Sequence, residues 1–228
     1  MKNLTSGIWI WGTALVLSLA FTAWYHNWSG PLTPAEIDAY VAQIAEGADA
    51  DSQALETLRA FMEADDGREF VMFNIIKLHD GKQPHPQTGD PTDPAALLET
   101  YSNAFLGRLL MSAGHPMWLA DKVGPYVDTF GIDETPQWGF LSMVRYRSRR
   151  DLLDAATYEG FPGAHLFKTA AIEQTFNFPT QLRLQAFFSP GLLVPLLLFF
   201  FAALIHLAVM ARRLKKQTSQ TATAHQSN

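Results

Sequence analysis

Cysteine is absent from the 228-residue chain, which removes disulfides, thiolate metal sites and cysteine nucleophiles together and leaves the redox compartment open. Acids are absent from both ends. Residues 1–25 and 187–228 hold Lys2, Arg212, Arg213, Lys215 and Lys216 with no Asp or Glu, so the stretch between them carries 12 bases against 22 acids, a net charge of −10. A middle of that sign lacks the basic footprint that displaces counterions from phosphates, which argues against nucleic-acid binding. No Gly-x-Ser-x-Gly elbow, phosphate loop or dinucleotide fingerprint occurs. Metal-binding spacing is missing as well. His79, Asp80, His85, Asp90 and Asp93 are ligand types, but they lie in a Gly- and Pro-studded loop without HxxxH or HxH order, which predicts hydration and no metal. No cofactor is expected.

What is present is apolar: 48% of the residues are hydrophobic, enough for a core and for two long runs besides. Ile8 to Tyr25 (IWIWGTALVLSLAFTAWY) has no charge and, at 1.5 Å per residue, makes a helix of about 27 Å, close to a hydrocarbon core. Trp9 and Trp11 at one end and Trp24, Tyr25 and Trp28 at the other form the aromatic belt expected at the two interfaces. A cleaved signal peptide is the alternative, since Lys2 precedes the run and Ser18-Leu19-Ala20 fits a cleavage site; the length and the belt favour an uncleaved anchor. The second run extends from Phe187 to Ala211, with Ser189-Pro190 as a helix start and His206 as its one ionisable group. A hydrogen bond to another helix is the expected role of that histidine. Arg212, Arg213, Lys215 and Lys216 follow at once. By the positive-inside rule that end is cytoplasmic, and Lys2 points the same way for the first. The chain is therefore expected in the membrane with two spans, both termini cytoplasmic and the central domain outside, which in a two-membrane bacterium is the periplasm.

Between the runs the period changes twice. Thr33-Pro34-Ala35-Glu36 starts a helix to about Glu46, and a second covers Ser52 to Ala64, with Gly47 to Asp51 between them. Phe70 to Leu78 (FVMFNIIKL) is a strand apolar on both faces, with Asn74 its one interior polar residue. His79 to Asp93 is a loop, and Asp93-Pro94 caps a helix to about Ala113 with Leu97, Tyr101 and Phe105 on one stripe. His115 to Phe130 predicts an extended strand interrupted near Gly124-Pro125. After a turn over 131–136 comes a two-sided strand from Trp138 to Tyr146. Ser148 and Asp151 open a helix through Ala156, another fits Gly163 to Ile172, and Thr175 to Leu184 alternates as an edge strand with Pro179. The order is βαββαβ after a helical lead-in, a ferredoxin-like α+β plan with an antiparallel sheet. Its strands are apolar on both faces, so something must cover the second face: the same sheet of another protomer, as a homodimer of the dimeric α+β barrel type, or the lead-in helices. The expected division is an anchor over 1–28, a lead-in over 29–66, the α+β domain over 67–185, a transmembrane helix over 186–213 and a disordered cytoplasmic tail over 214–228.

The run from FVMFNIIKL through His115-Pro116-Met117-Trp118 to VRYRSRRDLLDAATYEGFPGAHLFKTAAIEQT resembles a family of small dimeric α+β barrel proteins of unknown function. The resemblance rests on Ser148-Arg149, Leu152, Tyr158, His165 and Ala170-Ala171, in that order, and spans roughly Glu69 to Leu184. It implies the fold and dimerisation and no established reaction. The long 79–93 loop, the lead-in and the two spans depart from it.

In such a fold the cleft inside the barrel is the expected ligand site, and Asn74, Trp118, Arg145, Tyr158 and His165 are the residues predicted to face it. Each has a structural alternative: Asn74 satisfying a backbone group, Arg145 pairing with an acid, Tyr158 in the core, His165 capping a helix. Three functions follow from these residues. The first is a membrane-tethered domain that binds a small apolar or amphipathic molecule, or a partner protein. The second is a cofactor-independent oxygenase or isomerase with His165 as catalytic base and Arg145 or Asn74 stabilising an oxyanion. The third is a structural assembly module.

Overall fold

The computed structural model describes residues 2–47, 52–132, 136–159, 161–185 and 188–226. The elements in chain order are α1 (Lys2–Tyr25), α2 (Pro34–Gly47), α3 (Ser52–Glu63), β1 (Phe70–Leu78), β2 (Gln83–Pro84) and β3 (Pro91–Thr92). They continue with α4 (Pro94–Met111), β4 (His115–Asp121), β5 (Phe140–Tyr146), α5 (Arg149–Thr157), α6 (Phe161–Ala171), β6 (Ile172–Thr180) and α7 (Pro190–Gln226). They form two compact units, Met1–His26 with Leu184–Asn228, and Asn27–Arg183. Residues 48–51 of the link that begins at Gly47, the middle of the 131–136 turn and Phe187 at the predicted start of the second run lie outside the described residues.

The first unit pairs α1 with α7, and both are long and apolar enough to cross a membrane, over Gly7–Tyr25 and Pro190–Thr218. Trp11 Nε1 donates to His206 Nδ1 at 2.9 Å, so the one ionisable group of the second run bonds the facing helix. Gly7 lies against the same imidazole: a Cβ there would sit 3.3 Å from His206 Cε1. The last helix departs from expectation at its far end. It runs on to Gln226, through the Thr-, Ser-, Gln- and Ala-rich segment whose composition predicts disorder. Once nucleated in the apolar run, a helix propagates cheaply through Lys, Gln and Ala, which are good helix formers.

The second unit is a mixed α and β fold around a four-stranded antiparallel sheet of order β4-β5-β1-β6. β1 sits centrally because it pairs on both edges, Asn74 lying opposite Ser142 on one side and Asn177 on the other. Alternation divides the strands by face. Met72, Asn74, Ile76, Phe140, Ser142 and Val144 face the helix layer of α4, α5 and α6. Phe73, Ile75, Leu141 and Met143 face the other way, with Phe73 stacked on Phe178 at 5.4 Å between ring centroids.

Two expectations need revision here. β4 stops at Asp121 instead of reaching Phe130, because its partner β5 begins opposite that residue at Phe140 and Pro125 has no N–H to extend a ladder. The 79–93 segment also contains the short antiparallel pair β2–β3, whose turn uses His85 Nδ1 to accept from Gln87 N and Thr88 N at 3.2 and 3.3 Å.

The lead-in packs on the helix layer. Leu32, Ile37 and Met62 form a core cluster with Leu153 of α5, joined by Tyr40, Val41 and Phe61. Thr33 and Glu36 complete a reciprocal capping box: Thr33 N donates to Glu36 Oε2 at 2.8 Å and Glu36 N to Thr33 Oγ1 at 3.3 Å. Arg150 of α5 then reaches Glu36 at 2.9 Å and the carbonyls of Gly30 and Pro31. Asp65, 2% exposed, accepts from Leu32 N and Gly67 N and faces Arg149 at 3.6 Å. With the lead-in held there, the second face of the sheet keeps exposed rings, Trp118 at 43%, Phe176 at 61% and Phe178 at 42%.

Candidate functional site

The alternation that turns Met72, Asn74 and Ile76 toward the helices places them at the floor of a cavity of about 440 Å³ between sheet and helix layer. Its roof comes from α4, where Leu98, Tyr101, Phe105 and Leu109 recur at helical spacing, and from Phe161 and Lys168 of α6. The walls are mainly hydrocarbon and aromatic. A polar strip crosses the floor, because Asn74, Ser142 and Asn177 are direct cross-strand neighbours on three strands. Asn74 Nδ2 donates to Ser142 Oγ at 3.0 Å and lies 3.3 Å from Met72 O. Ser142 is 7% exposed. Buried polar groups in such a strip are costly unless bonded, and this one partly satisfies itself.

The residues predicted from sequence divide among four places. Asn74 lines the cavity. His165 adjoins it: its ring lies 5.2 Å from that of Phe161 and 6.5 Å from that of Tyr101, both lining residues, and its Nδ1 is buried without a hydrogen-bond partner among the described residues. Tyr158 stands at the C-terminal end of α5 with the Arg108 guanidinium 4.6 Å above its ring, and its ring is 6.3 Å from that of Phe161. Trp118 and Arg145 are on the opposite face, opposite Met143 and Val71 in the ladders. Arg145 is 3% exposed, donating to Glu69 Oε2 from Nε at 3.0 Å and from Nη2 at 2.5 Å, and to Ala113 O. Arg145 and Asn74 are thus not brought together.

Sequence reasoning passed over Lys168, Ser142 and Asn177. Lys168 carried a signal that was available: Phe161, His165, Lys168 and Ile172 are spaced i, i+4, i+7 and i+11, which puts a cation on the stripe that α6 turns inward. Its ammonium lies 5.8 Å from the Tyr101 ring centroid, and no carboxylate among the described residues pairs with it. Burial pushes its pKa down. Burial, followed by the nearby Lys168 charge, likewise lowers that of His165 and favours the neutral imidazole. Burial raises the Tyr101 hydroxyl to about 12, with a smaller contribution from Tyr158, and raises Tyr146 further by the same cause. The site therefore offers neutral donors, one isolated amine and a large apolar volume. Among the described residues no three His, Asp or Glu side chains gather in a way that could hold a metal.

No family model matches the chain, and no curated protein does. Among solved structures it is similar to a protein of unknown function from Rhodopseudomonas palustris, at 17% identity and a TM-score of 0.49 over 60% of this chain and 97% of that one. It is also similar to a methylated form of that protein, at 17% identity and a TM-score of 0.48 over 63% and 96%.

Proposed function

We propose that the chain is a membrane-anchored binding protein whose α+β unit takes up a small apolar or amphipathic molecule between its sheet and its helices. The observation that carries this reading is the cavity of about 440 Å³, within the volume range of small-molecule sites and lined mainly by apolar side chains with a few convergent polar groups. The strand order and the antiparallel pairings support a ferredoxin-like βαββαβ plan. The exposed Trp118, Phe176 and Phe178 support pairing of that face with a second copy in a homodimer of the α+β barrel type. Two apolar helices and the basic residues after the second support a two-span protein of a bacterial inner membrane, with cytoplasmic termini and a periplasmic unit. The enzyme reading draws on one observation, the buried, unpartnered Nδ1 of a neutral-leaning His165 beside cavity residues.

The test uses the full chain in nanodiscs and the neutral fluorophore N-phenyl-1-naphthylamine, with two cavity-filling variants, Leu106→Trp and Val144→Phe, as blanks. Saturable fluorescence in the wild type that both variants abolish is the expected outcome. Fluorescence equal in all three proteins would overturn the reading. Sedimentation of the same chain in detergent reads the pairing, and a strict monomer at every concentration rules it out.

A further inference from the structure

We infer that the ligand of this cavity is a hydrophobic monocarboxylate, a fatty acid or an aromatic acid, whose carboxylate pairs with the Lys168 ammonium. The inference rests on the binding reading above and names its ligand class. Of the 22 described residues that line the cavity, Lys168 is the single charged one, and no Asp, Glu, Arg or His is among them. Its stem leaves α6 on the inward stripe, and its ammonium lies 5.8 Å from the Tyr101 ring centroid and near the His165 imidazole, with no carboxylate paired to it among the described residues. A cation in such a place lacks the counter-ion that ordinarily offsets its desolvation, and the deficit is of the kind that lowers its pKa. A ligand carboxylate would supply the missing charge at the point where the apolar walls accept the rest of the molecule. A dicarboxylate or a phosphate monoester would bring a second charge that no described lining residue meets, so a single carboxylate fits best. Neutral alcohols and hydrocarbons would fill the volume and leave the ammonium unpaired. Specificity for an acid is thus expected from one residue, as is usual when a buried charge discriminates by what remains unpaired.

The experiment displaces N-phenyl-1-naphthylamine from the full chain in nanodiscs with dodecanoate, 2-naphthoate and their neutral counterparts dodecan-1-ol and 2-naphthalenemethanol. In the wild type at least one acid is expected to displace the fluorophore at a concentration about tenfold or more below its alcohol. Lys168→Met should erase that preference, so that acid and alcohol displace the fluorophore at similar concentrations, and Lys168→Arg should retain most of it. Lys168→Gln replaces the Met variant should that one fail to accumulate. Ligand-free Lys168→Met is also expected to melt above the wild type, because a partly buried charge without a counter-ion has been removed. Equal displacement by acid and alcohol in the wild type, or a preference that survives the loss of the amine, would overturn this inference and leave the binding reading standing. A fluorophore that binds no better to the wild type than to the cavity-filling variants instead defeats both.

Discussion

Gly67 occupies a position that excludes any residue with a Cβ. Its φ is +73°, and a Cβ built on it would stand 2.7 Å from Pro31 N and 2.8 Å from Gly30 C, so both the local conformation and the touching backbone exclude a side chain. Its carbonyl accepts from Asn27 Nδ2 at 2.8 Å and its N–H donates to Asp65, which makes it the point where the entry to the unit closes on the turn before β1. Gly67→Ala is expected to cost roughly 2–3 kcal/mol, read by chemical denaturation of the full chain against the wild type. Asp65-Asp66-Gly67 was legible as a turn, while its contact with Gly30 and Pro31, 37 and 36 residues earlier, was not, since no local pattern encodes a tertiary approach. The same divide runs through the site. Asn74 stood out because polarity inside an apolar strand is visible in one dimension, whereas Ser142 and Asn177 became its neighbours only through cross-strand register.

At the scale of elements, the capped helix starts were legible, while β5 and β6 begin at Phe140 and Ile172 instead of Trp138 and Thr175. Asp93 caps α4, its side chain accepting from Ala95 N at 2.8 Å, and Ser148 caps α5, accepting from Asp151 N at 3.1 Å, because a cap is a local contract between a side chain and the next turn. β4 ran short of its predicted length because a strand ends where its partner ends. The lead-in illustrates a third case, in which a local signal acquires a tertiary partner. Glu36 closes the capping box within its own helix, and Arg150 from α5, then Thr33, hold its carboxyl well below the usual 4.5, at about 2. A carboxylate with a depressed folded pKa contributes stability that is present above its unfolded value and lost as the pH falls toward the folded one. Docking of the lead-in is therefore expected to weaken between about pH 4.5 and 2. The side chains are 37% and 20% exposed, so solvent screening limits the pair to about 1 kcal/mol. Glu36→Gln should lose that amount at pH 7 and little at pH 2.5, measured by denaturation midpoints at both; an equal loss at the two values would dissociate the pair from the stability of the unit.

At the scale of the whole molecule, the division into an apolar helix pair and an acidic α+β unit follows from composition alone, since charge and hydropathy change together near residues 26 and 187. The location of the cavity did not follow. Two-sided strands announced that both faces of the sheet are apolar, but not which face retains space, because that depends on how far the α4 and α6 side chains fill the layer above it. The proposed topology can be examined by exploiting the feature the chain lacks. With no native cysteine, any introduced thiol is the sole site for a maleimide. Glu56 lies exposed on α3, and Asn228 is the terminal residue beyond the basic cluster. If four cations after the second run hold that end in the cytoplasm, Glu56→Cys is labelled by a membrane-impermeant maleimide in spheroplasts, and Asn228→Cys only after the membrane is opened. Labelling in the reverse pattern would put the α+β unit in the cytoplasm, and its ligand would then be drawn from the cytoplasmic pool instead of from outside the membrane.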